Sequence, residues 1–150
     1  MMHLSIEKAR PEDREEALAL LAKTQLVTDD LPPDLAGFWV IRDKTACIGV
    51  AGLERFGTVG LLRSVAVDPA FRGNRLAARL ISRLLETAEA DGLDSIYLIT
   101  TTADRYFERH GFGTVDRQDV PEAIRQTQQF SALCPASAVV MKRTVNRLNE

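Results

Sequence analysis

Three arginines crowd one short stretch, FRGNRLAARL at residues 71–80: Arg72, Arg75 and Arg79, with Gly73 beside the first. Arg75 and Arg79 are four apart and share a face if the stretch is helical. Gly73 lets the backbone approach a ligand closely. Helix starts carry unpaired N–H groups and the positive end of the helix dipole, which stabilises an anion by about 0.3–1 kcal/mol. The chemistry indicated is the holding of a phosphate-like anion. An ordinary helix start with solvated arginines has the same composition, and on local physics the two readings stand level. The stretch lacks the Gly-Lys-Ser/Thr ending of a P-loop and is not a dinucleotide fingerprint.

A second group could bind a carboxylate. Arg63 lies in the apolar run LLRSVAV, and Thr100, Thr101 and Thr102 follow the run SIYLI. The threonines fall where a parallel strand would end, the usual ligand edge of an α/β sheet. The plainer alternative is a sheet-surface arginine, with Thr102 as the N-cap of the next helix. His3, His110, Cys47 and Cys134 show no metal-ligand spacing, so no metal is expected. His110 reads as a favourable charge at a helix C-terminus. The two cysteines read as small core residues in a reducing compartment.

These residues need elements to position them. HLSIEK (3–8) alternates as a strand does, and Pro11, Glu12 and Asp13 suit a helix start. DDLPPDL (29–35) reads as a loop or short helical turn. FWVIRD (38–43), ACIGVAGLERF (46–56) and LLRSVAV (61–67), separated by Asp43-Lys44 and Gly57, form an expected antiparallel meander. After Asp68-Pro69 and the arginine loop, Leu76, Leu80, Leu84 and Ala88 give a helix that Gly92 can cap. SIYLIT (95–100) is a buried strand. A strand, a helix and a strand imply a right-handed crossover between parallel neighbours. ADRYFERH (103–110) reads as a short helix, FGTVD as a strand, PEAIRQTQQFSAL (121–133) as a helix and AVVMKR (138–143) as the last strand. The class is α/β, a mixed sheet with helices on both faces, and 1–150 is read as a single domain.

The bulk composition narrows the partners. The chain has 150 residues, 45% hydrophobic and 27% charged, with formal net charge −2. That balance argues against a nucleic-acid binder. The longest uncharged run, FSALCPASAVVM, is too short for a membrane span, and the N-terminal residues show no signal-peptide pattern, so a cytoplasmic chain is expected.

The run SVAVDPAFRGNRLAARL, followed after one helix and one strand by TTADRYFERHGF, resembles the GNAT acetyltransferase superfamily. Its signature is a strand, Val-x-Pro, then Arg/Gln-x-x-Gly-x-Gly/Ala. Arg72 and Ala77 match the outer positions, Gly73 a frequent extra glycine, and Arg75 stands where the inner glycine belongs. LITTTADRYFERHGF onward also resembles the acetyltransferase part of N-acetylglutamate synthases. GLLRSVAV, TTTA and LCPASAVVM resemble the small arsenic-resistance-associated GNAT proteins.

The resemblance implies a mixed, mostly antiparallel twisted sheet whose central parallel pair splays open, often beside a bulge. It implies acetyl-CoA as cosubstrate. Its diphosphate would meet Arg72 and the N–H groups of Gly73, Asn74, Arg75, Leu76 and Ala77, and its pantetheine arm the backbones of Val65 and Val67. The Val65 N–H would serve the developing oxyanion. Arg75 fits this picture if it takes the right-handed helical conformation. The family's tyrosine acid falls at Phe107, which would instead wall the thioester. Tyr106 lies about 100° round the helix, so either it faces the acceptor or solvent protonates the thiolate. Glu54 is the chosen base, against the alternative of a solvated edge carboxylate. The implied activity is acetylation of a small, amino-acid-like amine, with a homodimer among the allowed assemblies. The alternatives are an acetyl-CoA sensor without catalysis and a protein or peptide N-acetyltransferase. Cys47 and Cys134 give little support to arsenic binding.

Overall fold

Alternation and turn chemistry build the first half of the chain. In this computed structural model the described residues are 4–24, 31–101, 103–127, 130 and 138–145. Strand β1 (Leu4–Lys8) pairs antiparallel with β2 (Phe38–Asp43), and β2 pairs antiparallel with β3 (Ala46–Phe56). Lys44 takes φ +59 in the tight turn between β2 and β3, the left-handed geometry that matches strand twist. Gly57 and Thr58 alone join β3 to β4 (Val59–Val67). Helix α1 (Arg14–Lys23) follows a short 3-10 turn at Pro11–Asp13.

Helix α2 (Leu76–Ala90) buries Leu76, Leu80, Ile81, Leu84 and Ala88, as its spacing predicts. Gly92, at φ +77, ends it, and the Leu93 N–H donates to the Ala88 carbonyl at 3.0 Å. Strand β5 (Ser95–Thr100) lies parallel to β4, and the ladder covers only Val59–Leu61 and Ser95–Tyr97. Both strands run on beyond it. Helix α3 (Asp104–Glu108), β6 (Gly113–Val115), α4 (Glu122–Arg125) and β7 (Val139–Thr144) complete the order. The seven strands form one mixed, mostly antiparallel sheet ordered β1-β2-β3-β4-β5-β7-β6.

The chain divides into two compact units, Met1–Leu53 with Ser64–Glu86, and Glu54–Arg63 with Thr87–Glu150. The first has a core that includes Ala17, Leu21, Phe38, Val50 and Ala66; the second has one around Leu61, Tyr97, Ile124 and Val140. In the first unit a carboxylate is buried, that of Asp13. Asp13 accepts hydrogen bonds from both terminal nitrogens of Arg42, each at 2.6 Å, and from the Arg10 backbone N–H at 2.7 Å. The Arg42 bond outweighs the opposing effect of burial and holds the Asp13 carboxyl below the usual range.

The strands read over 61–67 and 138–143 span Val59–Val67 and Val139–Thr144, and two expected helices differ more in extent. The helix read over 121–133 is interrupted: it spans Glu122–Arg125, Gln126 and Thr127 turn away, and Phe130 is again helical, while residues 128–129 and 131–133 lie outside the described residues. The helix read over 103–110 spans Asp104–Glu108, because the chain turns at Arg109 and His110 toward Gly111 at φ +86. None of the described helices is long and apolar enough to cross a membrane.

Candidate functional site

Strand β4 carries one residue more than its partner. The two-residue turn sets Phe56 opposite Val59. Farther along, the Asp68 N–H donates to the Ile48 carbonyl at 2.8 Å, which sets Asp68 opposite Ile48. The first pair of numbers sums to 115 and the second to 116, so an extra residue lies on β4 between them. Ser64, at φ +58 inside the strand, marks the place of a β-bulge. A non-glycine residue in that region costs about 1–3 kcal/mol and is retained where the surroundings fix it. Val65 and Val67 follow, half-buried, with Ala66 buried between them.

In the same unit, β4 leads into the arginine loop. Asp68 begins it by accepting the Ala70 N–H at 2.9 Å and an ammonium hydrogen bond from Lys23 at 3.3 Å. That backbone bond lowers the Asp68 pKa first, with Lys23 adding to it. The Asn74 side-chain amide donates to the Phe71 carbonyl at 2.9 Å and folds the loop on itself. Arg72, Gly73, Asn74 and Arg75 are all exposed, Leu76 is buried and Ala77 half-buried. Gly73 has φ +90, and a Cβ placed there would meet nothing within 4 Å. The backbone is therefore bare on that side, as a group binding against main-chain amides requires, and the loop fits a diphosphate.

The conformation of Arg75 corrects the expectation of a right-handed one: its φ is +57. Two left-handed residues, Gly73 and Arg75, flank Asn74 and turn the chain into the first turn of α2. The family's glycine is explained by that requirement, and Arg75 adopts a glycine's conformation at a cost of about 1–2 kcal/mol.

Two residues given separate roles in the sequence meet in the second unit. Arg63 Nη1 donates to Glu54 Oε1 at 2.7 Å. The arginine side chain is 1% exposed and the glutamate side chain 28%. The pairing was readable in advance: a two-residue turn puts Glu54 opposite Leu61 and diagonal to Arg63 on one face.

Helix α3 separates its two aromatic residues. Phe107 is buried and edge-on to Phe112, centroids 5.8 Å apart. Tyr106 is half-buried, with its ring 4.8 Å from that of His110 and edge-on to Phe107. Burial raises the Tyr106 pKa, so the phenol keeps its proton at neutral pH. His110 does not supply the expected charge at the helix end. Burial, then the nearby Arg143 and Arg109, lower its pKa, and the imidazole is neutral at pH 7. The cation there is Arg143, whose Nη1 donates to the His110 carbonyl at 2.5 Å. Thr100 Oγ1 accepts the Ala103 N–H at 3.0 Å, and Ala103, not the expected Thr102, stands at the N-cap of α3, with no side-chain cap bond. Thr101 is exposed, and Thr102 lies outside the described residues.

Among the described residues no cluster of His, Cys, Asp and Glu could hold a metal ion. Burial pushes the Cys47 thiol up to about 11, far from a reactive thiolate. Cys134 lies outside the described residues.

The chain is similar to known proteins over most of its length. The amino-acid acetyltransferase of Escherichia coli K12 is 26% identical over 127 residues, 83% of this chain but 28% of that protein, so the chain spans under a third of its relative. The N-acetylglutamate synthase of Neisseria gonorrhoeae, solved with coenzyme A and N-acetyl-glutamate, superposes with TM-score 0.84 at 18% identity, covering 98% of this chain and 36% of that one. Rv2747 of Mycobacterium tuberculosis, solved with CoA, gives TM-score 0.81 at 20% identity and covers 95% and 99%. The profile of the acetyltransferase (GNAT) family matches residues 2–112, and with the strand, loop and helix of its signature in place, the chain belongs to that family.

Proposed function

We propose that the chain is an acetyl-CoA-dependent N-acetyltransferase that transfers directly to the primary amine of a small, amino-acid-like acceptor, with 1–150 serving as one domain. The observation that carries this reading is the bulge at Ser64, followed in the same unit by bare, left-handed Gly73 at the approach to α2. The bulge breaks the register of β4 just before Val65, and Gly73 leaves the approach to α2 open, which suits a ligand held by main-chain groups. The N-acetyl-glutamate in the Neisseria enzyme and the name of the Escherichia relative support an amino-acid-like acceptor.

Acetyl-CoA supplies the acetyl group as a thioester, so an N–C bond forms while the C–S bond breaks. The chain's residues do the rest. Arg72 and the N–H groups of residues 73–77 hold the diphosphate, and the backbones of Val65 and Val67 hold the pantetheine arm. The Val65 N–H donates to the carbonyl oxygen as it gains charge. Glu54 takes the proton from the acceptor's ammonium. Tyr106, protonated at neutral pH, offers its hydroxyl to the departing sulfur, and Phe107 forms an apolar wall. Thr100 and Thr101 serve the acceptor's side of the reaction.

Calorimetry with acetyl-CoA, followed by thiol release across an amine panel, tests the reading. Stoichiometric binding with release on one class of small amine is expected, in a cytoplasmic, metal-independent reaction. Failure to bind acetyl-CoA would end it. A second reading, an acetyl-CoA sensor without turnover, draws on Phe107, which is packed on Phe112 and carries no hydroxyl. Normal affinity with no thiol release at any pH would favour it. Acetylation of peptides alone would instead assign a protein N-acetyltransferase. Half-buried Cys47, its thiol pushed up to about 11, gives an arsenic-binding role no support.

A further inference from the structure

We infer that Arg63 is a positioning residue for Glu54 and does not read the acceptor's carboxylate. The inference rests on the proposed role of Glu54 as base. The guanidinium is sealed inside the protein: Nη1 lies 2.7 Å from Glu54 Oε1, and the arginine side chain is 1% exposed, so it is closed to an acceptor from outside. A substrate carboxylate could reach this Nη1 only by displacing Glu54, and breaking a buried charge pair is strongly destabilising.

The glutamate is held but not enclosed. Its side chain is 28% exposed, and the bond from Arg63 uses Oε1, not Oε2. Arg63 therefore fixes the rotamers of Glu54 through one oxygen and leaves the other for an ammonium. Flexible glutamates lose rotamer freedom when they are fixed, and here folding has already settled that cost. The step served is proton transfer: the acceptor's R–NH3+ gives one proton to the carboxylate, leaving R–NH2 with a free lone pair and Glu54 as the carboxylic acid.

The test uses the full chain, with Arg63→Met, Arg63→Lys, Glu54→Gln and the Arg63→Met/Glu54→Gln double variant. Each amino acid accepted as substrate is compared with its decarboxylated amine. Arg63→Met should lower kcat roughly tenfold to a hundredfold for both members of a pair, the range of one charged hydrogen bond. KM for the amine should barely move. Arg63→Lys should recover part of the loss, and the double variant should be no slower than Glu54→Gln alone. The Arg63 guanidinium NMR signal should shift between the parent and Glu54→Gln, where a neutral amide replaces the carboxylate beside it. If Arg63→Met fails to fold, Arg63→Lys and the NMR comparison carry the test.

A rise in KM confined to carboxylated acceptors would overturn the inference, because Arg63 would then be reading substrate. Independent, multiplicative effects in the double variant would overturn it too. Normal turnover with a guanidinium signal indifferent to Glu54→Gln removes the inference alone. A signal that shifts in a protein that acetylates no amine removes the proposed function and, with it, the positioning role.

Discussion

Arg42 and Arg63 each meet a carboxylate at almost the same distance, 2.6 Å and 2.7 Å, and the two pairs do different work. In the first unit both partners are sealed: Asp13 is 4% exposed, Arg42 is 7%, and both aspartate oxygens are used. In the second unit the arginine is sealed and the acid is not, and one of its oxygens is spoken for. Bond length does not distinguish the pairs. Access to the acid does, because a carboxylate must be reachable to accept a proton from anything outside the protein.

The contrast can be broken most sharply at Glu54. Glu54→Gln should lower kcat by about 10²–10⁴, the usual worth of a general base. It should cost only about 1–3 kcal/mol of stability, since the amide oxygen still faces Arg63. A variant that keeps full kcat would show that Glu54 is only an edge carboxylate. Asp13→Ala should do the reverse, losing about 3–5 kcal/mol of stability in urea melts while the folded fraction keeps its kcat.

The sealed pair also fixes a pH dependence. The Asp13 pKa is lowered on folding, so the unfolded chain binds more protons and stability rises with pH. Its contribution is complete above the unfolded value of about 3.9 and is lost as pH falls through the lower folded value. Asp13→Asn should flatten the stability curve in that acid window, and an unchanged slope would contradict the assignment.

Smaller effects belong to arginines outside both pairs. Arg72→Ala should weaken acetyl-CoA binding by roughly 1–3 kcal/mol in calorimetry. Because Arg72 is exposed, its stability should shift by no more than about 0.5 kcal/mol. Unchanged affinity would mean the cradle lies elsewhere. Arg75→Gly should raise stability slightly in urea melts, by up to ~1 kcal/mol, since it relieves a left-handed arginine at the cost of added chain entropy. A loss of stability would mean that the arginine side chain, not the backbone, organises the loop.

Much of the fold was legible because local signals agreed. FWVIRD, ACIGVAGLERF and SIYLIT have the expected strand limits, where apolar and β-branched residues meet Asp43-Lys44, Gly57 and Asp94. The α2 face was legible from its spacing. What periodicity does not encode is backbone handedness at single residues: nothing in the letters Ser64 or Arg75 announces a left-handed φ. The charge at the end of α3 was misassigned for a related reason. Arg143 comes from β7, distant in sequence, and only tertiary structure brings it to the His110 carbonyl. The Glu54–Arg63 pair was the one recoverable omission, since hairpin arithmetic places the two side chains on one face.

The bulge in β4 has a consequence for insertions and deletions. Losing one residue from a strand normally throws everything downstream out of phase, turning buried side chains outward. Here Asp68 faces Ile48, so Ala66 faces Val50, its companion in the first core, only because Ser64 is in excess. Excising Ser64 would leave both flanking stretches in phase and erase just the local detour. It is a rare deletion that the sheet could absorb and the chemistry could not.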